Sequence, residues 1–270
     1  MALSGVFQRR VQQLKHTYDT LKKGKEALLR LLDEVEIPEG VYNSNAIENS
    51  TLTLKETEKI LFEMEVTRTL ELREVFEAKN LARVMEYIRI KAPSGEWSED
   101  FVLLLHRMLI SNIDDGIAGR YRQAGEFVRV GPHIAPAPEQ VAALIGRAME
   151  QFAESEHFVT DAIARFHLEF EHIHPFCDGN GCKICKGSGI RDKEKGIYYQ
   201  SFREYDATRQ VQRMEKIVAF ALMESLHKRI AYLRGEEIMT LADYAKRHQL
   251  VLNGLINAAR KQTIPAFRER

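Results

Sequence analysis

The chain has 270 residues, 44% of them hydrophobic, enough for one larger domain with its own core plus an appendage. Its 39 Lys+Arg balance 39 Asp+Glu, so no net field draws the whole molecule toward nucleic acid or an anionic membrane. The most apolar run, residues 101–110, is interrupted by His106 and Arg107 and is too short to cross a bilayer. The N-terminus lacks the apolar stretch of a secretory signal, and the three cysteines crowd into residues 177–185 rather than forming a dispersed framework. A cytoplasmic protein without membrane association is the expectation.

Helical periodicity dominates. Val11, Leu14, Tyr18, Leu21, Leu28, Leu32 and Val35 recur at three- and four-residue steps, with a break near Gly24. Thr53 followed by Glu56 forms a capping-box pattern that opens the next helix. Residues 72–90 place Val75, Ala78, Leu81, Ala82, Met85 and Ile88 on one face, and residues 98–110, 138–156 and 160–173 follow the same rule. One stretch differs: in residues 119–139, Phe127 to Val130 sit between Gly and Pro residues and read as a short hairpin. Helical pattern returns over residues 213–233.

A boundary is expected near Arg234–Gly235. Beyond it, Thr240 caps the first of two short helices joined around His248 to Leu252, a unit of helix-turn-helix size. Lys246, Arg247, Arg260, Lys261, Arg268 and Arg270 make it basic, which leaves open either weak nucleic-acid contact or a plain helical appendage. The division expected is therefore an N-terminal helical segment (1–34), a main domain (35–234) and a C-terminal appendage (235–270).

Chemistry concentrates in residues 172–189, HIHPFCDGNGCKICKGSG. Pro175 ends the helix before it, because the residue ahead of a proline resists helical geometry. Gly179 and Gly181 allow a tight turn whose N–H groups can converge on an anion. Asp178 in the same turn is placed to hold Mg2+, which favours one or two carboxylates plus phosphate oxygens. His174 at the helix exit is placed to take a proton from an incoming hydroxyl. Base, metal carboxylate and phosphate cradle suit phosphoryl chemistry on a nucleotide. Cys177, Cys182 and Cys185 also have ligand-like spacing, though no fourth cysteine completes a zinc set.

Residues 174–181, His-Pro-Phe-Cys-Asp-Gly-Asn-Gly, resemble the signature of Fic-domain proteins, His-Pro-Phe-x-Asp/Glu-Gly-Asn-Gly-Arg-x-x-Arg, as far as the second glycine. AGRYR at 118–122 followed by FVRVGPHIAPAP at 127–138 is similar to the family's flap, which lines up a target polypeptide. SNAIENS at 44–50 resembles its inhibitory helix motif, and YYQSFREYD at 198–206 the helix bordering the adenine pocket. The resemblance implies an all-α, Fic-type bundle with one β-hairpin. It implies transfer of AMP from ATP to a Ser, Thr or Tyr hydroxyl of a target protein. By the same resemblance His174 is the base, Asp178 the Mg2+ ligand, and Gly179, Asn180 and Gly181 the anion hole. Phe176 packs the loop onto the core, Val130, Gly131, Pro132 and His133 form the flap, Tyr198 and Asp206 lie on the adenine side, and Ser44 and Glu48 belong to the inhibitory helix.

Two departures follow the second glycine. The signature's arginines fall on Cys182 and Cys185, or on Lys183 and Lys186 if one residue is inserted; neither thiol nor ammonium supplies the bidentate arginine fork. The chain is also shorter here than the family pattern by about a dozen residues, roughly 18 Å of helix. A transferase restrained by Glu48 and a degenerate Fic-fold binding or regulatory protein both remain open on sequence. So does a homodimer.

Overall fold

The computed structural model describes residues 5–48, 50–91, 95, 97–181 and 195–268. Among these the protein is helical apart from one two-stranded hairpin. The helices are α1 (Gly5–Leu21), α2 (Glu26–Ile47), α3 (Leu54–Glu58), α4 (Leu72–Lys91), α5 (Glu99–Ile110), α6 (Val141–Ala153), α7 (Val159–Ile173), α8 (Lys195–Thr208), α9 (Gln212–Arg234), α10 (Leu241–His248) and α11 (Leu252–Arg260). None of them is long and apolar enough to cross a membrane. Two compact units emerge: Val35–Glu215, and Met1–Glu34 with Lys216–Arg270.

Local signals account for most boundaries. Gly24, at φ +72°, separates α1 from α2. The Thr53 hydroxyl accepts from the Glu56 amide while the Glu56 carboxylate accepts from the Thr53 amide, so both halves of the capping box form. The Thr240 hydroxyl caps α10, accepting from Asp243 N–H at 3.1 Å. The apolar spacing at the N-terminus ends at Val35, yet α2 continues through Pro38 to Ile47. Pro38 forfeits one backbone hydrogen bond; burial of Ile37, Val41 and Ile47 on the same helix offsets that loss.

The Val35–Glu215 unit has two cores that meet at α5. Leu105, Leu109 and Ile110 pack with Ile37, Val41, Leu52, Ile60 and the buried face of α4. Val102 packs instead with Val141, Ile145, Met149, Phe166, Phe170, Ile173 and Phe176, the core of α6 and α7. Asn80, buried on α4, donates to the Leu109 and Ser111 carbonyls at 3.0 and 2.7 Å and so ties down the C-terminal end of α5. The hairpin pairs Arg129 with Ile134 and Val130 with His133. Its two-residue loop is Gly131–Pro132, with Gly131 at φ +58°, a backbone region that glycine enters without strain.

In the other unit Phe7 packs on Phe220 at 5.5 Å between ring centres, and Arg229 pairs with Asp33 at 2.7 Å. Lys25 donates to the Leu233 carbonyl. The C-terminal helices α10 and α11 form the helix-turn-helix-like appendage, joined by Gln249–Val251.

Candidate active site

Helix α7 stops at Ile173, and His174 takes a left-handed conformation (φ +51°) just before Pro175. Its amide still closes the helix on the Phe170 carbonyl at 2.9 Å. A histidine held in this region costs energy that the surroundings must meet. Arg122 does so from the base of the hairpin. It is only 3% exposed. Its Nε donates to the His174 carbonyl at 2.8 Å, and Nη2 to the Ile173 and Pro136 carbonyls at 3.2 and 2.9 Å. Nη1 donates to Glu126 O at 3.0 Å, and the Arg122 amide to Pro175 O at 3.0 Å. One buried guanidinium thereby fixes the helix exit and both ends of the hairpin.

The rest of the turn rests on α5. Phe176 is buried and its ring lies flat on His106, 3.7 Å between centres and 3° from parallel. His106 Nδ1 accepts from the Gly119 amide at 3.0 Å, which makes Nε2 the protonated nitrogen; that N–H donates to the Asp178 carbonyl at 3.0 Å. Burial pushes the His106 pKa down to about 4, keeping the ring neutral. The Asn180 side chain, also buried, accepts from Phe176 N–H at 2.7 Å and donates to Phe176 O at 2.6 Å. Gly179 is required twice over: its φ is +72°, and a Cβ there would stand 2.8 Å from Ile110 Cδ1. Nothing in the sequence around His106 or Arg122 marks either as a support of the turn. The AGRYR stretch at 118–122 carries Arg122.

His174 is half-buried, and burial is the main reason its pKa falls. A long contact of 3.4 Å from Nδ1 to the Glu171 carbonyl assigns the proton to Nδ1 and the lone pair to Nε2. Asp178 points the other way. Its Oδ1 accepts from the Gly179 amide at 2.6 Å, and its Oδ2 is paired with Arg73 of α4, which also meets Glu77 at 2.8 Å. Asp178, Gly179 and Arg73 line a cleft of about 550 Å³ together with Glu48, Arg68, Glu71, Glu74 and Glu77. Carboxylates outnumber cations in this lining.

Glu48 enters that cleft just past the end of α2, whereas Ser44 is buried in α2 with no hydrogen-bond partner for its hydroxyl among the described residues. The last carbonyls of α2 are met from α8: Tyr199 O–H donates to Ile47 O at 3.3 Å and Lys195 Nζ to Ala46 O at 3.4 Å. The flap residues Val130 and Ile134 are exposed, as is Phe127 beside them. His133 Nε2 is 2.8 Å from the His172 carbonyl. Tyr198 is buried with its hydroxyl 3.0 Å from His167 Nε2, so its side chain faces core rather than an open pocket. Asp206 is exposed and approaches His172 Nδ1 at 3.3 Å. The structure thus brings Glu48, Asp178 and Gly179 to one cleft, and His133 and Asp206 to His172. Cys182, Lys183, Cys185 and Lys186, with the shortened segment that contains them, lie outside the described residues.

A helical bundle with a single hairpin tied to a His-Pro-Phe-x-Asp-Gly-Asn-Gly turn is a Fic-type fold. Residues 96–182 match the Fic/DOC family profile, and the chain carries a Fic/DOC family domain. It is 33% identical over 181 residues to a protein adenylyltransferase Fic of Drosophila erecta, and 31% identical to that of Drosophila melanogaster. Each alignment takes in 64% of this chain and 36% of the relative, so the chain spans about a third of the length of these curated relatives. The fold is shared with a Fic-domain-containing signaling protein from Bacteroides thetaiotaomicron: TM-score 0.72, 22% identity, 86% of this chain and 99% of that one. It is shared also with Fic-1 from C. elegans: TM-score 0.68, 22% identity, 86% and 74% coverage.

Proposed function

We propose that the protein is an adenylyltransferase that moves AMP from ATP to a hydroxyl of a target polypeptide. The observation that carries the reading is the His174–Asn180 turn, with a neutral, half-buried imidazole at one end and a carboxylate open to the cleft at the other. The hydroxyl proton passes to His174 Nε2 as the oxygen attacks the α-phosphorus, and the bond to the β-phosphate breaks, releasing pyrophosphate. The exposed edge of the hairpin, around Val130 to His133, supports a role in holding the target backbone.

Asp178 suits Mg2+, which asks for one or two carboxylates and takes its other ligands from water and phosphates. The ion would supply charge neutralisation at the phosphate oxygens. Arg73 competes for Asp178 Oδ2, so its guanidinium must move aside for an ion to bind there. Glu48 in the same cleft supports a restraining role, since a carboxylate beside the phosphate turn disfavours an incoming triphosphate.

Incubation with labelled ATP and Mg2+ tests the reading: wild type labels itself or a lysate, and His174→Ala loses at least about 10²-fold while still binding ATP. Retained labelling in His174→Ala removes the base. The altered positions Cys182 and Cys185 favour a second reading, a Fic-fold binding protein without transfer activity. ATP binding without labelling by wild type supports it. Where transfer occurs, Glu48→Gly raises it by less than about tenfold, or 1.4 kcal/mol, because cysteine or lysine replaces the arginine fork that would grip the glutamate. A larger gain means the restraint is intact.

A further inference from the structure

We propose that His133, His172 and Asp206 form a transition-metal site of the Zn2+ class that fastens the flap to α7 and α8. The three side chains come from strand β2 (His133–Ile134), the last turn of α7 and the last turn of α8. Each offers a ligand atom, and these atoms all lie within 4.8 Å of one another. Two ligands about 2.0–2.2 Å from a tetrahedral ion stand roughly 3.4 Å apart. The distance from His172 Nδ1 to Asp206 Oδ1 is 3.3 Å, so that edge of the site is already formed. Full closure asks for a contraction of at most about 1.4 Å between ligand atoms, with His133 half-buried on its two-residue strand.

The rings are prepared for ligation. His133 donates Nε2–H to the His172 carbonyl, which orients its imidazole and leaves Nδ1 with the lone pair; metal-bound histidines are held by this kind of backbone contact. The two rings already lie against each other, 4.2 Å between centres. Asp206 supplies the charge and faces solvent, leaving a fourth position for water. Two imidazoles and one carboxylate suit Zn2+ or Co2+ and not Mg2+.

Arg209 is the competing cation, 3.5 Å from His172 Nε2. Once Nδ1 holds a metal, Nε2 carries the proton and no longer accepts from Arg209. The guanidinium then rests on the Tyr205 ring, over which it already lies at 5.0 Å. The site shares His133 with the flap and Asp206 with the side expected to border adenine, but its geometry does not depend on the adenylyltransferase reading.

The test uses the full chain stripped of metal, titrated with Co2+ and then Zn2+. Visible d–d bands without thiolate charge transfer, and a saturable Zn2+ isotherm, are expected. His172→Ala and Asp206→Asn each weaken Zn2+ binding at least about tenfold. The triple variant Cys177→Ser, Cys182→Ser, Cys185→Ser and the variant Asp178→Asn keep wild-type affinity. Circular dichroism checks folding, and exposed Asp206→Asn keeps the test decisive if His172→Ala unfolds. Thiolate charge transfer, loss of binding in the cysteine variant, unchanged affinity in Asp206→Asn, or no saturable binding up to about 1 mM overturns the site.

Discussion

Arg122 and Arg73 both bind the His174–Asn180 turn, and they do so by opposite physics. Arg122 is buried and spends its donors on backbone carbonyls of Glu126, Pro136, Ile173 and His174. Arg73 is 50% exposed and meets only carboxylates among the partners described for it, Glu77 and Asp178. The underside of the turn is therefore a buried scaffold in which one guanidinium meets backbone carbonyls, closed by Phe176, His106 and Asn180. The cleft side is an ionic surface in contact with water. A carbonyl stripped of its donor in the core has no replacement, whereas an exposed carboxylate stripped of its arginine turns to water. The two faces should respond very differently to the same kind of substitution.

The largest effect is expected on the buried side. Arg122→Ala leaves several buried carbonyls unpaired at once and should cost about 4 kcal/mol of unfolding free energy by denaturant titration. Arg122→Lys restores charge but not the planar fork and should recover only part of that loss. A cost under about 1 kcal/mol for Arg122→Ala would show that the turn holds its shape without the guanidinium.

That asymmetry also decides what was readable in advance. Features encoded within a few residues were legible: the Thr53–Glu56 box, the Thr240 cap, the break at Gly24 and the exit at Pro175 each depend on neighbours in sequence. The helical class followed from period, and the single hairpin from Phe127 to Val130 set between Gly and Pro residues. Arg122 and His106 were not legible as supports, because their partners lie 52 and 72 positions away. A histidine on an apolar helix face gives no sign of what it will stack on. Tyr198 illustrates the same limit: its place in an aromatic-rich motif says nothing of the core histidine, His167, that it meets. His172 gave no signal beyond its type, since its approach to Asp206 crosses 34 residues.

The second prediction concerns pH on the buried side. His106 has a folded pKa of about 4, against about 6.5 unfolded, so folding favours the neutral ring. Its stabilising share is complete above pH 6.5 and shrinks as pH falls toward 4, below which it is constant. The loss approaches about 3 kcal/mol. His227 is also held at about 4 by burial and contributes a similar slope from the other unit. Unfolding curves for wild type and His106→Gln between pH 7 and 4 separate the two. The variant should be less stable at pH 7 and show a shallower decline. Parallel curves would mean that His106 titrates alike in both states.

The smallest effect on stability belongs to the cleft side. The Arg73–Asp178 pair is exposed at both ends, 50% and 36% by side chain, where ion pairs contribute about 0–1 kcal/mol. Arg73→Ala should therefore leave the denaturation midpoint almost unchanged. Its consequence lies in competition: the guanidinium occupies Asp178 Oδ2, the oxygen a divalent ion would take. Removing it should tighten Mg2+ binding by up to about fivefold, the equivalent of 1 kcal/mol. Raising ionic strength screens the exposed pair and should shrink the difference between wild type and variant. Calorimetric titration of Mg2+ at low and high salt measures both. Weaker Mg2+ binding in Arg73→Ala, or a stability loss above about 2 kcal/mol, would place Arg73 with the buried scaffold and erase the contrast between the two faces.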